Sequence, residues 1–216
     1  MPGARSDDSG KGSPSRRVHN ELNPVLLVHG IWDSSSRLLP LKTGLERRGL
    51  GPVHALDLVP NDGRASIAAL GEIVAREAEA LAAREGTPRV DVVGFSMGAL
   101  VTRWYIQRGG GKERVRRFVS ISGPHAGTAV AYALPFAGVR EMRPGSPMLR
   151  DLAADADPFG VVEVHCLYTP FDLMILPATS SILSGARSVR RFGVPMHRFM
   201  ITDEGVLDHV AGVLRA

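Results

Sequence analysis

Cys166 is the only cysteine in this 216-residue chain, so no intrachain disulfide can form. It stands in the apolar run Val161-Val162-Glu163-Val164-His165-Cys166-Leu167, which predicts a buried core thiol rather than a reactive one. No run is apolar for long enough to cross a bilayer, and stable membrane anchoring is not expected. Lysine is scarce: Lys11, Lys42 and Lys112 are the only three, so nearly all the positive charge behind the formal +4 is arginine. The arginines are scattered, apart from pairs such as Arg116-Arg117 and Arg190-Arg191. Without a continuous basic tract bearing aromatics, nucleic-acid binding is not expected. The histidines and acids lack ligand spacing such as H-x-x-x-H, so neither a metal nor a cofactor is expected. Residues 1–20 hold Gly, Ser, Pro, Arg and Asp with no apolar segment. They predict a disordered tail rather than a secretory leader, and hence a cytoplasmic protein.

What is present is ordinary for a globular chain: 44% hydrophobic and 22% charged residues. The length suits one domain, residues 21–216, expected to be a monomer. Strands and helices alternate. Val25-Leu26-Leu27-Val28 reads as a strand buried on both faces. A helix over Leu38 to Arg48, closed by Gly49, precedes a strand over Val53 to Leu58. Ala65 to Arg84 carries Ile67, Leu70, Val74, Ala78 and Leu81 at helical spacing and is closed by Gly86. Strands follow over Val90-Asp91-Val92-Val93, Val115 to Ile121 and Val161 to Leu167, with a weaker one over Ser188 to Phe192. The last helix runs from Val206 to Leu214, capped by Thr202 or Asp203. The pattern predicts an α/β fold with a mostly parallel sheet of about six strands flanked by helices. Ligands of such sheets bind beyond the strand carboxyl ends. Residues 123–158 form a long irregular stretch, expected to act as a cap or substrate-binding insertion. Within it Ser146-Pro147 supplies an N-cap and N1 pair for a short helix with Leu149 and Leu152.

Gly94-Phe95-Ser96-Met97-Gly98 lies between the Val90 strand and the helix that begins at Ala99. A serine between two glycines at a strand-to-helix turn reads as a nucleophile elbow. The glycines let strand and helix approach closely, and Ser96 would take a strained conformation with Oγ pushed into the open. A helix N-terminus there favours developing negative charge. An oxyanion hole needs two N–H donors. The Met97 amide, directly after the nucleophile, is one. The loop His29-Gly30-Ile31-Trp32 after the first strand supplies the other, through the Ile31 amide, with His29 anchoring the loop.

A serine hydroxyl needs a base, and the base needs an orienting acid. After such an elbow the chain order is serine, acid, histidine. His125 precedes the candidate acids, and His165 lies inside a strand; both predict structural roles. His209 lies on the body of the final helix. His197 lies in the loop after the last strand, on the edge where Ser96 emerges, and is favoured as the base. Asp172 follows the Val161 strand through Tyr168-Thr169-Pro170-Phe171 and is the favoured acid. Asp155 and Asp157 precede that strand, and Asp203 and Glu204 cap the last helix.

Several segments together resemble the α/β-hydrolase superfamily, and more narrowly its small bacterial lipases of the Bacillus lipase A type. These are Val25-Leu26-Leu27-Val28-His29-Gly30-Ile31, Gly94-Phe95-Ser96-Met97-Gly98, Gly123-Pro124-His125-Ala126-Gly127-Thr128, Phe171 to Pro177, Gly185-Ala186-Arg187, and His197 with its following helix. The resemblance covers about residues 24–216 with segment order intact. It implies a minimal α/β-hydrolase fold, an acid at Asp172, a base at His197, and oxyanion amides at Ile31 and Met97. One departure is the turn Gly193-Val194-Pro195-Met196 before His197, where the family has a Gly-Val-Gly-like turn. Another is residues 123–158, longer than in the smallest members, which lack a lid. The implied activity is hydrolysis of carboxylic esters, as a lipase or carboxylesterase, on a small-molecule ester or lipid. A thioesterase or acyltransferase would use the same triad. The scaffold also carries other chemistries, and a non-catalytic binding protein on this fold is a further alternative. Leu173, Met174, Ile175, Leu176 and Pro177, with Leu134 and Phe136, are candidates for an acyl groove or for core.

Overall fold

The computed structural model describes residues 22–216, so the tail expected over residues 1–20 lies outside the described residues. The chain builds six parallel strands: β1 (Val25–Val28), β2 (Val53–Ala55), β3 (Val90–Phe95), β4 (Val115–Ile121), β5 (Glu163–Tyr168) and β6 (Ser188–Arg191), in the order β2-β1-β3-β4-β5-β6. The helices are α1 (Leu39–Arg47), α2 (Ile67–Glu85), α3 (Met97–Arg108), α4 (Gly111–Arg114), α5 (Ala137–Glu141), α6 (Pro147–Ala153) and α7 (Glu204–Arg215). This is the expected minimal α/β-hydrolase architecture. Among the described residues, no helix is long and apolar enough to cross a membrane.

The apolar runs become central strands because side chains from both faces need cover. Along β1, Leu26 and Val28 join one core with Leu70 and Val74 of α2 and Leu100 of α3. Val25 and Leu27 join a second core with Leu41 and Leu45 of α1 and Val206, Leu207 and Val210 of α7. Cys166 is fully buried in the first core, as its surroundings predict.

Helix ends follow the local chemistry. Ser66 caps α2 by accepting from the Ala69 amide, and Gly86 closes it in the left-handed region at φ 64°. Ser146 caps α6, with Pro147 in its first turn, and Asp203 caps α7 through the Val206 amide. The strand expected over Val53 to Leu58 ends at Ala55. Beyond it the Leu58 amide turns to the ring of His29, so the chain leaves the ladder for a side-chain partner.

Strand register sets the site. Val28 is level with Gly94, Ile121 pairs with Phe95 and with Leu167, and Tyr168 pairs with Arg191. The carboxyl ends of β1, β3, β5 and β6 therefore open on one edge. The order reverses at β1, which lies between β2 and β3 and makes a crevice at that edge.

Candidate active site

Three non-glycine residues among those described take a left-handed φ: Trp32 at 59°, Ser96 at 55° and Ser122 at 51°. All three lie just past the ends of strands β1, β3 and β4, so backbone strain is concentrated at this edge. Ser96, at φ 55° and ψ −126°, is the hinge between β3 and α3. Its N–H donates to the Ile121 carbonyl at 2.9 Å, and its own carbonyl accepts from Ala99 at 3.0 Å. The elbow is tight because backbones meet there. A methyl at Gly98 would lie 2.3 Å from the His29 carbonyl oxygen, and one at Gly30 would lie 3.0 Å from Ser96 Cβ.

Ser96 is only 8% exposed, which corrects the expectation of an open hydroxyl. The cover comes from the 123–158 insertion and the chain after Asp172. Together with Ile31, Trp32 and Met97 they enclose a cavity of about 90 Å3 around the serine. Leu134, Met174 and Ile175 line it, as three of the groove candidates. Phe136 instead packs at the core edge beneath the Arg64 guanidinium. Leu173 is largely exposed and borders a second cleft of about 280 Å3 with Phe171, Met196 and His197. Val130, Val139 and Met142 also line the serine cavity. They lie in an insertion with no long periodic pattern, so the sequence carried no signal for them.

Asp172 and His197 meet. His197 Nδ1 and Asp172 Oδ2 are 2.7 Å apart, and Asp172 Oδ1 accepts the Met174 and Ile175 amides at 2.9 Å each. Burial pushes the Asp172 carboxyl up, but the His197 bond and charge and the two amides outweigh it and hold it below the usual value. The acid is thus an anion fixed at both oxygens. His197 opens a 3-10 turn (His197–Ile201), and its ring lies 4.8 Å from that of Phe95, the residue before Ser96. Among the described residues no hydrogen bond joins Ser96 Oγ to His197, and His197 Nε2 has no protein partner. The turn containing Pro195 and Met196 still delivers the histidine to the acid.

The other candidates are occupied elsewhere. His209 packs its ring against Phe192. His165 Nδ1 pairs with Ser188 Oγ at 2.7 Å, tying β5 to β6. His125 Nε2 pairs with Ser120 Oγ at 2.7 Å. Asp155 holds Gln107 and Arg108, and Asp157 accepts the Gly160 amide. His29 anchors the first loop: its Nε2 accepts from the Leu58 amide at 2.9 Å, so Nδ1 carries the proton and donates to the Gly30 carbonyl at 2.8 Å. The Ile31 and Met97 amides have no acceptor among the described residues, while the neighbouring Trp32 amide is used by the Asn61 carbonyl. Ile31 and Met97 both line the serine cavity.

The family model for palmitoyl protein thioesterase matches residues 24–157. The chain belongs to the palmitoyl protein thioesterase family. The matched stretch holds the elbow and the Ile31 loop and ends before Asp172 and His197. Structural likeness extends further. The chain is similar to Aspergillus fumigatus lipase B at 19% identity and TM-score 0.77, covering 94% of this chain and 55% of that one. It resembles the mature form of a Bacillus licheniformis lipase at 16% identity and TM-score 0.77, covering 94% and 96%. A Paleococcus ferrophilus monoacylglycerol lipase matches at 16% identity and TM-score 0.66, over 89% and 95%. At these identities the likeness establishes the fold. The chain spans about half of the Aspergillus protein and nearly all of the other two.

Proposed function

We propose that this thioesterase-family protein is a serine hydrolase that cleaves carboxylic esters of small molecules or lipids through an acyl-enzyme. The observation that carries the reading is the strained Ser96, next in sequence to the Phe95 ring that His197 packs against, together with the fixed Asp172–His197 pair and two unused amides at the serine cavity. Ser96 Oγ attacks the ester carbonyl, and His197 Nε2 takes its proton. Asp172 holds the ring and stabilises the imidazolium. The Ile31 and Met97 amides receive the oxyanion. His197 then protonates the leaving oxygen, and in the second half-reaction it deprotonates water, which releases the acid.

The leaving group must lie on the histidine side, because His197 protonates it. The cleft there is walled by Phe171, Leu173, Met174 and Met196, so an apolar alcohol suits it. The family's name favours a second reading with a thiol as leaving group. A fluorophosphonate probe should label the wild type and not Ser96→Ala. Ester turnover should collapse in His197→Ala and persist in His209→Ala; the reverse pattern overturns the base assignment. Matched oxygen ester and thioester of one acyl group decide between the two leaving atoms by their kcat/KM ratio.

A further inference from the structure

A cleft of about 580 Å3 lies between α6, with the turn after it, and the loop Ile182–Gly185. It is distinct from the Ser96 cavity. The strip 124–128 separates the two: Pro124 and Thr128 line the cavity, whereas His125 and Ala126 line the cleft. Nothing in the proposed ester chemistry uses it.

Arg103 of α3 forms part of its wall and is only 5% exposed. Nε donates to Gln107 Oε1 at 2.7 Å, and Nη1 donates to the His125 carbonyl at 2.9 Å. Among the described residues Nη2 has no acceptor and no carboxylate pairs with this guanidinium. Burial draws its pKa down to about 10, which leaves it charged at neutral pH. Asp155 also borders the cleft, but it is held by Arg108 at 2.9 Å and Lys112 at 3.7 Å. Arg150 adds a second cation, with no carboxylate partner among the described residues and its Nη1 donating to the Gly145 carbonyl at 2.6 Å. His125, 4% exposed, leaves its Nδ1 buried without a partner. Burial and the neighbouring Arg103 hold that ring neutral, so it adds no charge.

A buried cation without a counterion is costly, and an anion from outside would relieve that cost. The remaining wall is apolar, with Leu149, Phe159, Ile182 and Leu183 facing the same space. A small hydrated anion gains nothing from that wall, and a neutral chain gains nothing from the guanidinium. We propose that the cleft binds an anionic amphiphile, a monocarboxylate on an apolar chain. Its head lies on Arg103 and its chain along Leu149, Phe159 and Ile182. The proposal stands apart from the ester-hydrolase reading, since it uses none of the same side chains.

Calorimetric titration of the full-length Ser96→Ala protein with laurate, dodecanol and acetate tests it without turnover. Laurate is expected to bind at least about tenfold more tightly than dodecanol, with acetate weaker than both. Ile182→Asp places a negative charge at the cleft rim and should weaken laurate by at least about tenfold with no change in melting temperature. Met174→Asp places the same charge in the serine cavity and should leave laurate affinity unchanged. Arg103→Met, where it folds, should erase the preference for laurate over dodecanol; Ile182→Asp carries the test where it does not. Equal affinity for laurate and dodecanol overturns the proposal. So does loss of laurate binding in Met174→Asp but not in Ile182→Asp.

Discussion

Ser96 is held in a conformation that suits glycine better than serine, and nothing about the hydroxyl itself requires that for folding. Such strain costs about 1–3 kcal/mol, so Ser96→Gly should raise stability by roughly 1 kcal/mol while abolishing ester turnover. Ser96→Ala keeps the strain and should lose turnover, by on the order of 10⁶ where the serine is the nucleophile, with little change in melting temperature. Thermal melts and initial rates on the two variants check both statements. A Ser96→Gly protein no more stable than Ser96→Ala would mean that the elbow stores no strain. Ser96, Asp172 and His197 were legible as candidates because chain order and strand ends single them out. The cover over Ser96 was not, because it depends on how an aperiodic insertion folds back. Thr128 Oγ1 donates to the Met174 carbonyl and accepts the Leu176 amide, and residues 46 and 48 apart in sequence give no local sign of such a bond.

At the level of elements, β3 carries a polar residue that the apolar pattern passed over. Asp91 is 1% exposed, and burial above all raises its pKa to about 6, against the opposing influence of Arg117, Asn23 and Arg116. A carboxyl whose folded pKa lies above its unfolded value contributes stability that is full below the unfolded value and lost as pH rises through the folded one. Asp91 therefore makes the wild type lose stability between about pH 4 and pH 6. Asp91→Asn should flatten that slope, so the gap between variant and wild type moves in the variant's favour as pH rises. Urea midpoints across this range test it, and parallel slopes would rule it out. Most element boundaries were readable from caps and spacing: Ser66 and Gly86 on α2, Ser146 and Pro147 on α6. The five-residue α5 was not. It exists because the Gly138 amide donates to the Gly63 carbonyl, a contact made by a distant loop. The shortened β2 has the same origin in His29, a partner from another strand end.

For the whole molecule, the sheet supplies the edge, and residues within 124–142 together with Met174 and Ile175 wall the space beside Ser96. The narrow cavity of about 90 Å3 around Ser96 favours a short acyl chain. The kcat/KM for a p-nitrophenyl butyrate should exceed that for the palmitate by at least about tenfold. Leu134→Ala should shift the optimum toward longer chains, and an unchanged profile would remove the cavity from substrate selection. The parallel sheet and its carboxyl edge followed from the alternation of apolar runs with helices, but the two cores on its faces became visible only with the register. One further consequence follows from the order of the strands. From β3 outward, space and sequence run together, so Ser96 and the Ile31 and Met97 amides belong to the chain before α6, whereas Asp172 and His197 come after it. A break at exposed Ala156 would part Ser96 from His197 while leaving α7 its berth against α1. Neither piece alone holds all of the proposed groups, and if the proposed ester hydrolysis holds, its recovery would report the reunion of two fragments, giving a complementation sensor.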